Sequence, residues 1–196
     1  MQKLFTIGHS NHSFDEFLDL LQQREIEKII DVRSAPYSRY SPQFNKSALE
    51  KSLKCRGIGY IFLGKELGVR RVEESCYTNS KVQFKVIAGL PVFQDGLKGI
   101  LKETKHHKVA LMCAEAEPLN CHRTILVCRQ LNKIVPDLEI IHILGNGTTE
   151  SHEESLQRLI RLLKLQIELF GELTSNSVLI EKAYDLQAEK IAYRKN

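Results

Sequence analysis

No stretch of this 196-residue chain approaches the ~20 consecutive apolar residues that a membrane-spanning helix requires, so no transmembrane segment and no membrane partner are expected. The opening Met1-Gln2-Lys3-Leu4-Phe5-Thr6-Ile7-Gly8 is too short, and too polar afterward, for an export h-region. Neither sign of charge dominates: 28 Lys and Arg face 24 Asp and Glu, for a net charge of +4. That balance permits a phosphate-bearing ligand or a nucleic acid without demanding either. A dinucleotide fingerprint is missing, because Gly8-His9-Ser10-Asn11-His12 lacks the second and third glycines. No C-x-x-C pair occurs among the five cysteines. Their odd number and the lack of a secretory signal argue for free thiols in a reducing cytoplasm. Internal repeats and low-complexity tracts are absent as well.

What remains is an alternation of strands and helices. Leu4–Ile7, Lys28–Val32, Tyr60–Leu63, Lys108–Cys113 and Leu138–Ile143 read as five strands. Ser13-Phe14-Asp15-Glu16 is a capping-box pattern that opens the first helix, and a second helix starts near Ser47. Gly64–Ser80 is charged and aperiodic and reads as a long loop. Helices are expected over Lys81–Lys105 with a break near Gly89-Leu90-Pro91, over Cys121–Asn132, over Glu153–Phe170 and over Val178–Tyr193. Strands separated by helices give a three-layer α/β sandwich, Rossmann-like, with a mostly parallel sheet of about five strands plus C-terminal helices. The expected division is an α/β domain over residues 1–152 and a helical extension over 153–196 packed on the same domain. Leu156, Leu159, Ile160, Leu163, Ile167 and Phe170 form an apolar stripe that reads as cover for that core.

In an open parallel sheet, ligands bind beyond the carboxyl ends of the strands. Those ends here carry Gly8-His9-Ser10, Asp31-Val32-Arg33-Ser34, Gly64-Lys65-Glu66, Cys113-Ala114-Glu115 and Gly145-Asn146. The fourth is the densest in chemistry. Strand residues Val109–Cys113 run through Glu115 and Glu117 to Cys121-His122-Arg123 at a helix start, where free amides favour a thiolate. Candidate catalytic groups are Cys121 and Cys113 as thiols, and Glu115, His9 and His122 as acid–base groups. Candidate anion or substrate binders are Arg33, Arg123, Ser10, Asp31, Arg39 and Tyr37, since arginine forks beside aromatic faces suit a phosphate or a nucleobase. His106-His107 falls at the wrong end of its strand, and His142 reads as a satisfied core imidazole.

The motifs Thr6-Ile7-Gly8-His9-Ser10-Asn11, Asp31-Val32-Arg33-Ser34-Ala35-Pro36-Tyr37-Ser38-Arg39, Pro42-Gln43-Phe44-Asn45, Gly57-Ile58-Gly59-Tyr60, Leu63-Gly64, and Leu111-Met112-Cys113-Ala114-Glu115 with Cys121-His122-Arg123 occur in this order. As a set they resemble the family called domain of unknown function 488 (DUF488), over about Leu4 to His152. The resemblance implies a fold and a site but no reaction, and it names no cofactor. Asp31-Val32-Arg33, and a strand cysteine leading to an arginine-bearing helix, also look similar to rhodanese domains. Nine residues, Pro118 among them, separate Cys113 from Arg123, longer than a rhodanese anion loop.

Zinc finds acceptable ligand types in Cys113, Glu115, Cys121, His122 and His9. Adjacent Cys121 and His122 on one helix would point about 100° apart. A four-ligand structural site is therefore not expected, and no metal is assigned. The leading reading is an enzyme acting on an anionic small molecule or nucleotide-type substrate at the rim. The alternative is a nucleic-acid or modified-nucleotide binding module using Arg33, Tyr37, Arg39, Lys65 and Arg70-Arg71. Rhodanese-like sulfur transfer and metal-dependent hydrolysis are minor alternatives. Substrate, cofactor and oligomeric state are left open by the sequence.

Overall fold

The computed structural model describes residues 2–165 and 176–195. Chain order begins β1 (Lys3–Gly8), α1 (Phe14–Gln22), β2 (Lys28–Asp31), α2 (Lys46–Lys54), β3 (Gly59–Phe62) and a short α3 (Gly64–Leu67). A small hairpin of β4 (Tyr77–Thr78) and β5 (Lys81–Val82) precedes α4 (Phe84–Ala88) and α5 (Pro91–Glu103). Then come β6 (Val109–Cys113), a π-helical turn (Arg123–Cys128) continuing into α6 (Arg129–Ile134), β7 (Glu139–Ile143), β8 (Thr149–Ser151), α7 (His152–Leu162) and α8 (Asn176–Ile191). Ser13 caps α1 as its sequence pattern predicts: its side chain accepts from the Glu16 amide while Glu16 reaches back to the Ser13 amide.

The main sheet has the order β3-β2-β6-β1-β7-β8. The five expected strands are mutually parallel, and β8 adds an antiparallel edge. This sixth strand departs from the expectation that a loop leads from β7 straight into a helix. Gly147 takes φ +83, which admits a tight turn. Leu144 and Thr148 then pair across the turn at 2.9 Å, and Thr149–Ser151 folds back along β7. The expected loop Gly64–Ser80 is likewise structured. It holds α3, a 3-10 turn at Glu74–Cys76 and the strand β4. Asn79 and Ser80 both adopt positive φ, the backbone of a two-residue hairpin turn, without the glycine that normally announces one.

Side chains alternate between the sheet faces. Ala110 and Met112 join Phe5, Ile7 and Ile29 under α1 and α2, with Phe17, Leu21, Leu49 and Leu53 buried among them. Val109, Leu111 and Cys113 face the opposite core with Ile125, Leu126, Phe93 and Leu97. Leu156, Leu159, Ile160, Leu179, Ala183 and Tyr184 of α7 and α8 belong to that second core. Ile167 and Phe170 of the apolar stripe, and the end of the helix expected over Glu153–Phe170, lie outside the described residues.

This topology places the site. Neighbouring strands β1 and β6 send their following helices to opposite faces of the sheet: α1 to one core, the π-turn and α6 to the other. A crevice opens where adjacent strands diverge in this way. Its floor is the pair of strand ends Gly8 and Cys113, which are partners in register.

Candidate functional site

The segment leaving β6 is pinned against the end of β1. The His9 amide donates to the Cys113 carbonyl and the Ser10 amide to the Ala114 carbonyl, both at 2.9 Å. A Cβ on Gly8 would lie 1.9 Å from the Glu115 carbonyl oxygen, so this close approach needs glycine. From the far side, fully buried Arg123 donates through Nη1 to the Glu115 carbonyl (2.6 Å) and through Nη2 to that of Ala116 (3.3 Å). Its guanidinium thus braces the main chain of the loop. That use accounts for the nine-residue spacing, since the loop wraps around the arginine.

A 3-10 turn at Pro118–Asn120 then delivers Cys121 in extended conformation immediately before the helix. Because Cys121 precedes the helix, the 100° separation expected from His122 does not apply. The structure brings the thiols of Cys113 and Cys121 and the Nδ1 of His122 to within 4.8 Å of one another, all on buried residues. His122 Nδ1 lies 3.7 Å from the Cys113 sulfur and 4.0 Å from that of Cys121. Its Nε2 lies 3.0 Å from the Val32 carbonyl, which can only accept, so Nε2 carries the proton and donates. The Cys121 sulfur also accepts from the Arg123 amide at 3.4 Å.

Glu115 Oε2 sits 3.0 Å from the Cys121 sulfur, so the two groups share a proton. Burial works against ionisation of Cys121, but the Cys113 hydrogen bond, the Arg123 charge and His122 outweigh it and hold the thiol well below its usual range. Cys113 is pushed the other way by its bond to Cys121 and by burial. Desolvation and the neighbouring Cys121 raise Glu115. Burial, with a smaller push from Cys121, raises Cys128, seven residues further along, to about 12 against the pull of Arg123.

A cavity of about 250 Å³ opens over this cluster. Its walls include Cys113, Glu115, His122, Arg33, Arg70 and Tyr193. Arg33 is clamped at the end of β2: Nε and Nη2 bind both oxygens of Asp31, Nη2 also donates to the Phe44 carbonyl, and Nη1 donates to His9 Nε2 at 3.2 Å. One of its five hydrogens, on Nη1, is left over. Asp31 takes a further bond from the Tyr60 hydroxyl at 2.7 Å. His9 stacks on Phe44 with centroids 4.4 Å apart, and lies behind Arg33 rather than in the cavity wall. Burial and the Arg33 charge hold it down to about 4, so it is neutral and fixes Arg33 in place. Ser10 serves through its main chain. Tyr37 and Arg39 are exposed and outside the cavity lining.

From the sequence, Arg70 enters only the nucleic-acid alternative, and the C-terminal wall beside it is not named. Arg70 stacks on the ring of Tyr193 at 5.0 Å and, among the described residues, forms no ion pair. Tyr193 is held by its carbonyl, which accepts from the Val82 amide at 2.9 Å. Gln187 of α8 donates to the Leu119 carbonyl at 2.7 Å, just before Cys121. No signal in the sequence links Gln187 and Tyr193 to β6, because more than seventy positions separate them.

The model of the family described as "Domain of unknown function DUF488" matches residues 13–129. The chain belongs to this family. The DUF488 match contains Arg33, Arg70 and the whole run from Cys113 to Arg123, and leaves out β1 with His9 and Ser10, and everything after Arg129. It is narrower at both ends than the motif reading of Leu4 to His152. No curated protein and no solved structure matches the chain. No described helix is long and apolar enough to cross a membrane.

Proposed function

We propose that this DUF488 protein is an enzyme that takes an anionic small molecule, of phosphorylated or nucleotide type, into the cavity at the carboxyl ends of β1 and β6. One observation carries the reading. Cys113, His122 and Glu115 line the floor of a small cavity, with the Cys121 thiol clustered behind them, and the wall of that cavity presents Arg70, a cation with no described carboxylate partner. Arg33 is neutralised by Asp31 and offers one directed hydrogen, so Arg70 supplies the attraction and Arg33 the orientation. Glu115, sharing a proton with Cys121, is the group placed to move protons at the substrate. The volume of about 250 Å³ lies just below the ~300–1,000 Å³ typical of ligand pockets, which favours a small molecule. Five free thiols support a reducing compartment such as the cytoplasm.

Calorimetric titration with inorganic phosphate and nucleoside monophosphates tests the reading. Single-site binding is expected, weakened about tenfold or more by Arg70→Ala, the scale of one charge-assisted hydrogen bond. Equal binding by the wild type and the variant would remove the assignment.

A second reading rests on the exposed aromatic loop. Tyr37 and Tyr40 are 70% and 98% exposed on either side of Arg39, on the segment that leaves Arg33. Rings and arginines so arranged suit the stacking of single-stranded bases. Binding of an oligonucleotide that falls steeply with salt, and that Tyr40→Ala weakens, would favour this reading.

A further inference from the structure

We propose that Cys113, Cys121 and His122 form a binding site for one zinc-type divalent ion, with its open coordination position facing the cavity. The donor set is two soft thiolates and one borderline imidazole, a combination that selects zinc and catalytic zinc sites in particular when a fourth place is left free. Bond lengths of about 2.3 Å to sulfur and about 2.0 Å to nitrogen put the edges of a tetrahedral site at roughly 3.5–3.8 Å. The sulfur–nitrogen edge is the shorter, at about 3.5 Å; the observed separations of 3.7 and 4.0 Å exceed it by a few tenths of an ångström, and the three ligand atoms lie within 4.8 Å of one another, so the site closes on an ion by side-chain shifts of at most about 1 Å.

The surroundings are built as a metal site requires. His122 donates Nε2–H to the Val32 carbonyl, which leaves the Nδ1 lone pair aimed at the two sulfurs. This carbonyl contact is the outer-sphere device that fixes the tautomer of ligating histidines. The Cys121 sulfur accepts a main-chain amide, which stabilises a thiolate donor. The carbonyls braced by Arg123 hold the loop between the two cysteines, so both ligands are preorganised. Cys113 and His122 line the cavity and Cys121 lies behind them, so the fourth position opens to the ligand space. Glu115 stands beside that position against Cys121, where a base for a metal-bound water would stand. Binding releases two protons to solvent, that of Cys113 and the one Cys121 shares with Glu115, in exchange for the ion's two charges. The net charge of the buried cluster, Arg123 included, is therefore unchanged.

The site rests on the preceding reading only for what occupies its open position. Its test therefore reads the metal alone. Metal-free protein, prepared with a chelator under reducing conditions, is titrated with Zn²⁺ and separately with Co²⁺. One equivalent should bind tighter than micromolar. The cobalt form should show thiolate-to-metal charge transfer and the intense visible bands of a tetrahedral centre. Cys113→Ser and Cys121→Ser should each lose affinity beyond the ~10–100-fold typical of outer-sphere changes. Cys128→Ser, a buried cysteine of the same helix, should bind as the wild type does. Thiol counting on the native wild type is independent of any variant's folding: zinc should protect two cysteines from alkylation, assigned by mass spectrometry to Cys113 and Cys121. Failure to bind a stoichiometric ion, a cobalt spectrum lacking thiolate bands, protection of other cysteines, or a Cys113–Cys121 disulfide as the stable state would overturn the site. None of these outcomes touches the anion titration with Arg70→Ala, which fails or succeeds separately.

Discussion

Two buried histidine clusters flank Arg123, and they differ in one respect. Beneath the cavity, His122 faces two thiols whose capacity to bind is not used up. On the other side runs a closed chain: Thr6 Oγ1 to His142 Nδ1 at 2.7 Å, His142 Nε2 to His152 Nδ1 at 3.0 Å, and His152 Nε2 to the Tyr184 hydroxyl at 2.7 Å. A neutral imidazole has one donor and one acceptor, so this chain runs in a single polarity, from strand to helix or the reverse, and every ring nitrogen in it is paired. It ties β1, β7, α7 and α8 together within the core. A satisfied polar network specifies packing, whereas polar groups left with capacity at the floor of a cavity specify a ligand. Thr6 touches both clusters, since Arg123 Nε lies 3.4 Å from its hydroxyl.

If that contrast holds, the closed chain governs stability and the open cluster does not. The largest effect is expected from acid. Burial holds His152 down to about 4, against about 6.5 in the unfolded chain. Between those values the unfolded chain binds a proton that the folded one does not. Stability is therefore complete above pH 6.5 and falls as the pH drops toward 4, at about 1.4 kcal/mol per pH unit, or roughly 3 kcal/mol in all. His142, held well below its ordinary value by burial and by His152, acts in the same direction, as does His9 beside Arg33, so the share of the closed chain is what His142→Ala removes from the profile. Denaturant unfolding across pH 4–8 measures this, and a flat profile between 6.5 and 4.5 would break the contrast.

Cutting the chain at its centre with His142→Ala leaves a cavity and orphans two partners, for a loss of about 2–4 kcal/mol. Cys113→Ser in the open cluster should cost under about 1 kcal/mol in metal-free protein, read in the same urea titrations. Gly8→Ala falls between, at about 1–3 kcal/mol, because its Cβ must push the Glu115 carbonyl away. That variant should also disturb the site, seen as weaker anion binding. Arg70→Ala should change stability by less than about 0.5 kcal/mol, as an exposed residue does, while removing most of the anion affinity.

The parallel strands and the capped first helix could be read directly, because each rests on local signals: β-rich runs, the Ser13–Glu16 box, a cysteine at a strand end. The convergence of strand ends on one rim followed from topology alone. Four features could not be read. The strand at Thr149–Ser151 depends on the turn at Gly147 and on an edge that exists only once β7 is in place. The role of Arg123 as a brace depends on where a nine-residue loop returns. The closed histidine chain joins residues from Thr6 to Tyr184, whose types alone give no sign of pairing. Likewise, Cys121 and His122 meet Cys113 because Cys121 lies before the helix, a matter of one residue's backbone.

Alkylation of metal-free wild-type protein, followed cysteine by cysteine, tests most directly that the cavity at the end of β6 is the functional site. Exposed Cys55 serves as the fast reference and buried Cys76 and Cys128 as the slow ones. The Cys113–Cys121 pair, with Cys121 as its low-lying thiol and Cys113 in the cavity wall, should react well ahead of Cys76 and Cys128, and phosphate or a nucleoside monophosphate should slow the pair while leaving Cys55 unchanged. A pair no faster than Cys128, or one indifferent to every anion offered, would contradict the account.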